Sequence, residues 1–255
     1  MSTEAININV IQENSAPSYG KITAIKSYQG MLVSLAVKSD QLNILEGKKP
    51  KEPTNILTIP RKIENPGSIC KYNKEYFIAD SKKKLLYRMA EGGKKMKCEL
   101  SLVTKGSDMA LSLINSPGST ISDLDIKNDK LWFICSAGYS STVCSFDLKT
   151  EKEEVYLNFN NIFLTRGSRP NGILFIEKKN SIMVVDSFKC IITTYGTEGK
   201  SLNVYRGQFN KESKIKFGVN PEYVAKGLAI DENNNIWVLE SKVENKRAIS
   251  KGKQL

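Results

Sequence analysis

Apolar and polar residues alternate along most of this chain, in short runs rich in Val, Ile, Leu, Phe and Tyr. Gly, Asn, Asp and Lys separate the runs, and sustained spacing at 3.6 residues is almost absent. Alternation at period two places one set of side chains on a core and the other set opposite, so the pattern predicts strands throughout. The expected fold class is all-β.

Stacking the runs shows a repeat. "PGSICKYNKEYFIADS" (66–81), "ISDLDIKNDKLWFICS" (121–136), "NGILFIEKKNSIMVVDS" (171–187) and "KGLAIDENNNIWVLES" (226–241) share one plan. A small residue opens a strand, a polar turn follows, and an apolar strand ends in an acidic or small residue plus Ser. Asp80, Cys135, Asp186 and Glu240 fall at the equivalent position, at spacings of 55, 51 and 54 residues. A near-constant period of about 50 residues marks an array of one supersecondary unit. Two further strand candidates follow each of the first three, for example LLYRMA and CELSLVT after Asp80. Four antiparallel strands per unit make a propeller blade.

The expectation is therefore a β-propeller forming a single domain over 1–255, with blades near 20–60, 66–104, 119–160, 170–206 and 223–252. The last unit is short, and an open edge strand invites aggregation. Residues 4–11 are predicted to supply its outer strand and close the ring. The count is five blades, or six if the connections at 105–118 and 207–222 contain strands. A β-sandwich of irregular repeats is the alternative. Trp132 and Trp237 share one repeat position, as do Phe77 and Met183, which predicts packing between blades.

Composition removes several chemistries. No histidine is present, which excludes His-containing triads and His-ligated metal centres. The five cysteines, Cys70, Cys98, Cys135, Cys144 and Cys190, contain no C-x-x-C pair. They read as reduced thiols in a cytoplasmic protein. No signal peptide or membrane span is expected. The net charge of +11 comes from 32 Lys and only 6 Arg, with Lys clustered in predicted turns. A surface built that way reads as solvated, and a nucleic-acid face would use Arg forks and aromatic platforms.

"GLAIDENNNIWVLES" resembles the NHL-type repeat. "RPNGILFIEKKNSIMVVDS" resembles a segment of the senescence marker protein / gluconolactonase family, where Asn-Gly opens an inner strand and a strand ending in Asp-Ser follows. That resemblance implies a six-bladed propeller hydrolysing lactones or phosphoesters with a divalent metal, usually calcium. The family's ligands are a Glu from the first blade, the Asn of Asn-Gly, and an Asp before Gly in the next blade. Here the Asn matches Asn171, Lys226 stands at the Asp position, and GKITAIKSYQG (20–30) offers no acid. A hard dication needs several oxygen ligands, normally including carboxylates. Streptogramin lyases are also similar, but that resemblance implies a catalytic histidine.

Asn171 reads in two ways, as a ligand or as part of Pro-Asn-Gly turn chemistry. The recurring Asp-Ser pairs read as caps on turns. Asp123, Asp125 and Asp129 resemble a calcium loop only faintly. Arg166 and Arg169 beside Pro170, together with Lys226, would put positive charge at a channel mouth. The sites expected are thus Asn171, Lys226 and Arg169 for ligand binding, with no catalytic residue, metal or cofactor. The reading is a monomeric, non-catalytic binding or scaffold propeller for a protein or small anionic ligand. A divergent lactonase-type hydrolase, with calcium, is the alternative, and NHL-type RNA binding is a third.

Overall fold

The computed structural model describes residues 8–12, 18–49, 52–93, 97–101, 118–137, 140–147, 149, 153–158, 170–176, 180–186, 191–196, 201–206 and 223–242. Strand β1 (Ile8–Gln12) comes first. A four-stranded antiparallel sheet follows, of β2 (Lys21–Tyr28), β3 (Met31–Val37), β4 (Gln41–Gly47) and β5 (Asn55–Pro60). The next comprises β6 (Pro66–Tyr72), β7 (Glu75–Asp80), β8 (Leu85–Ala90) and β9 (Lys97–Ser101). Then come β10 (Thr120–Lys127), β11 (Lys130–Ala137), β12 (Ser140–Asp147) and β13 (Glu153–Asn158). The fourth contains β14 (Pro170–Ile176), β15 (Ser181–Asp186), β16 (Ile191–Gly196) and β17 (Ser201–Arg206). β18 (Tyr223–Ile230) and β19 (Ile236–Lys242) form the last sheet together with β1.

The chain is a β-propeller. The innermost strands pack in order, β2 on β6, β6 on β10, β10 on β14, β14 on β18, and β18 back on β2. Apolar alternation explains why sheets stand face to face. Each interface holds its own buried cluster, such as Val33, Ile44 and Ile78 between the first two sheets. Phe77, Phe133 and Cys144 fill the next. Ile22, Ala36 and Leu239 join the last sheet to the first. Trp132, Trp237, Phe77 and Met183 all lie at these interfaces, as their shared repeat positions predict. Trp132 stacks on Phe175 of the neighbouring sheet at 6.4 Å.

Two local rules recur. The first is in the hairpins. Gln29-Gly30, Asn73-Lys74 and Asn128-Asp129 all have positive φ, so each joins its strands by a two-residue turn whose twist suits a hairpin. The second is a register shift near the start of every innermost strand, leaving Thr23, Gly67, Ser122, Asn171 and Lys226 each as an extra residue. Asp80, Cys135, Asp186 and Glu240 pair with the residue just before that bulge.

Among the described residues β1 is the outer strand of the last sheet, the place expected for residues 4–11. It pairs directly with β19, and in parallel, from Ile8 against Ile236 to Gln12 against Glu240. A parallel partner needs a long connection, and here the whole ring lies between the two strands. Residues 4–7 of the expected strand lie outside the described residues, as do 105–117 and 207–222. Five cross-strand pairs at roughly 0.2–1 kcal/mol each give a testable figure. Deleting residues 1–12 should lower unfolding free energy by about 1–5 kcal/mol and promote association through the uncovered β19 edge. Urea titration with sedimentation measures both. Unchanged stability would show that β1 does not hold the ring.

Candidate functional site

An innermost strand has one edge facing its sheet and another facing the channel, where no strand pairs with it. Buried N–H and C=O groups there need partners. Side chains of neighbouring sheets provide them. Leu124 N–H donates to Ser68 Oγ at 2.9 Å. Ile173 N–H donates to Asp123 Oδ2, and Phe175 N–H to Asp125 Oδ2, both at 2.9 Å. Ile230 N–H donates to Ser27 Oγ at 3.3 Å.

Lys26 completes this lining. Its side chain is fully buried, and Nζ donates to Asp123 Oδ2 and to the Ile173 carbonyl. Ser68 Oγ donates to the other Asp123 oxygen at 2.6 Å. Four innermost strands therefore meet at one ammonium–carboxylate pair inside the channel. Asp123 and Asp125 belong to this lining. Asp129 stands apart, bound to Lys149 at 2.6 Å and to Tyr72 Oη at 2.9 Å. The faint calcium loop is not assembled.

Burial pushes the Asp123 carboxyl up, against the pull of the Lys26 charge and its hydrogen bonds. Burial also dominates at Asp125, which is pushed up to about 6 although Lys26 and the Phe175 N–H favour its ionised form. A carboxyl whose folded pKa exceeds its unfolded value takes up a proton on folding, so stability falls as pH rises through the window between the two. For Asp125 that window runs from about 4 to about 6.

One mouth of the channel lies where the innermost strands begin. A cavity of about 360 Å³ is lined there by Asn65, Lys82, Thr120, Ser122, Asn171 and Lys226, among others. Asn171 and Lys226 come together because each is the extra residue of a bulge, and a bulge re-aims its side chain out of the ladder. Pro-Asn-Gly is thus no turn. Neither Asn171 nor Gly172 has a positive φ, and both lie within β14. Gly172 is needed for close approach: a Cβ there would sit 2.9 Å from the Lys226 carbonyl oxygen and 3.0 Å from Gly227 Cα. Arg166 and Arg169 lie outside the described residues.

Lys82, which the repeat pattern did not single out, joins this mouth through Asp80. The buried Asp80 carboxylate accepts N–H bonds from Lys82 at 3.1 Å, Lys83 at 2.9 Å and Asn65 at 3.3 Å. This is the turn cap that Asp-Ser predicts. Lys26 was missed as well. Its sequence signal is a lysine inside the apolar alternation of KITAIKSY.

No family model matches the chain, and no curated protein matches it in sequence. Solved structures do resemble it. Glutaminyl cyclase from Myxococcus xanthus is 13% identical, with a TM-score of 0.56 over 92% of this chain and 93% of that one. A protein assigned as a gluconolactonase is 12% identical, with a TM-score of 0.56 over 88% and 73%. Regucalcin from Agrobacterium tumefaciens, a calcium-binding protein, is 12% identical, with a TM-score of 0.51 over 90% and 72%. The likeness carries the propeller fold.

Asp125→Asn keeps an acceptor for Phe175 N–H and removes a buried charge. It should stabilise the protein at pH 7.5 by on the order of 1–3 kcal/mol, with the gain vanishing near pH 4. Urea unfolding at both pH values measures this. An equal effect at both would contradict the assigned burial of the charge.

Proposed function

We propose that this propeller is a non-catalytic binding protein that takes a small anionic ligand, a carboxylate or phosphate ester, at the mouth holding Lys82, Asn171 and Lys226. The observation that carries the reading is the chemistry of that lining. Lys82 and Lys226, Asn65 and Asn171, and Ser81, Thr120 and Ser122 are among the residues lining the cavity, with no Asp or Glu among the described lining residues. Ammonium groups and amide or hydroxyl donors suit an anion's oxygens. The cavity size falls in the range of small-molecule sites.

The hydrolase alternative draws on the fold likeness, and regucalcin is a calcium-binding protein. The donor set here does not fit that ion. Lys226 lines the same cavity as Asn171, and an ammonium repels a dication. Asp123 and Asp125 point their oxygens at Lys26 and backbone N–H groups. Among the described residues no group of three Asp, Glu, Cys or His could hold a metal. No helix among them is long and apolar enough to cross a membrane.

A panel of small carboxylates and phosphate esters, assayed by thermal unfolding at low ionic strength, tests the proposal. A bound anion at about 100 times its Kd should add roughly 2.7 kcal/mol. That gain should be lost in Lys82→Glu/Lys226→Glu and weakened by salt. Stabilisation that survives the double charge reversal would place the anion elsewhere. Stabilisation by calcium alone would favour the hydrolase.

A further inference from the structure

The innermost strands end at a second mouth, opposite the first, around a cavity of about 450 Å³. Tyr28, Tyr72, Leu174, Phe175 and Ile230 contribute its apolar walls, and Asp125 reaches it from the channel lining. This cavity differs from the first in charge, because Asp125, Asp231 and Glu232 line it alongside Lys71 and Lys127.

Most of these charges are matched. Lys71 is held between Glu46 at 2.6 Å and Glu91 at 2.7 Å, with the Tyr28 and Tyr76 rings each 5.1 Å from its ammonium. Glu232 pairs with Lys48 at 2.6 Å. Asp231 accepts N–H bonds from Asn233, Asn235 and the Trp237 indole. Asp125 is the exception. It is only 9% exposed, and among the described residues its carboxylate accepts only the N–H groups of Phe175 and Ile126, at 2.9 and 3.0 Å. No described lysine or arginine forms an ion pair with it, and Lys26, whose charge favours its ionised form, bonds to Asp123 and the Ile173 carbonyl. A buried carboxylate without a bonded counter-ion is costly. A carboxylate oxygen can accept two hydrogen bonds, and among the described residues each Asp125 oxygen accepts one.

We propose that the second mouth is a binding site for a small organic cation, a primary ammonium carried on an aromatic or aliphatic body. The ammonium pairs with the Asp125 carboxylate, and the body lies against Tyr28, Tyr72 and Phe175. An apolar cavity with one convergent charged group is the common form of a small-molecule site. The charge-assisted hydrogen bond supplies selectivity for a cation. Lys26 on β2, Cys70 on β6 and Asp123 on its own strand interact electrostatically with Asp125, and Lys71, Lys127, Asp231 and Glu232 line the same cavity.

Benzylammonium chloride is the probe, with benzyl alcohol as its neutral counterpart, and titration calorimetry on the full chain is the measurement. At pH 7.5 the cation should bind about 10-fold or more tighter than the alcohol, the value of one charge-assisted bond. Its affinity should fall by about 10-fold between pH 7.5 and 5, where the probe stays charged and Asp125 takes a proton. Asp125→Asn should abolish the preference, whereas Lys226→Glu, at the other mouth, should leave it intact. Equal affinity for cation and alcohol, affinity independent of pH, or full preference in Asp125→Asn would each overturn the proposal.

Discussion

The inward edges of the innermost strands are the constraint on which the rest of this propeller depends. Each sheet satisfies its own hydrogen bonds outward, but a ring of sheets leaves one edge of every first strand facing a narrow channel. Water could serve those groups in a wide channel. Here Ser27, Ser68, Asp123 and Asp125 serve four of them, each across a sheet boundary. The polar bonds therefore tie neighbouring sheets together at the centre, while the five apolar clusters tie them further out. Carboxylates in that lining need a cation, and Lys26 is placed where it meets Asp123.

That arrangement separates two mouths with different chemistry. Bulges at the strand starts give the first mouth its Asn171 and Lys226, and the cap at Asp80 adds Lys82. The strand ends bring aromatic rings and carboxylates to the second. The buried Lys26–Asp123 pair lies in the lining between the two mouths. Asp125, which accepts the Phe175 N–H, also brings negative charge to the second mouth.

Much of the architecture was legible in the sequence because it repeats. Equivalent positions such as Asp80, Asp186 and Glu240 obey one register, and Trp132 and Trp237 mark one packing position. What the repeat could not show is where it departs from itself. Lys26 and Asp123 occupy non-equivalent steps of their strands, and their pairing depends on ring closure. Asn171 carried a family pattern, yet its setting is a bulge, which a Pro-Asn-Gly string does not distinguish from a turn. β1 was recognisable as a spare strand, but its parallel pairing with β19 leaves no mark in the sequence of either strand. The Asp-Ser pair announces the cap at Asp80, but not that Lys82 beside it lines a cavity with Asn171 and Lys226 of other sheets.

Lys26 and Asp123 act as one unit holding the sheets at the axis. A double-mutant cycle with Lys26→Met and Asp123→Asn, followed by urea unfolding at pH 7, tests it most directly. Removing Lys26 alone should cost about 3–5 kcal/mol, because it strands a buried carboxylate. In the double variant most of that loss should be recovered, giving a coupling energy of about 2 kcal/mol or more. Additive losses, with coupling near zero, would show that the two side chains act independently.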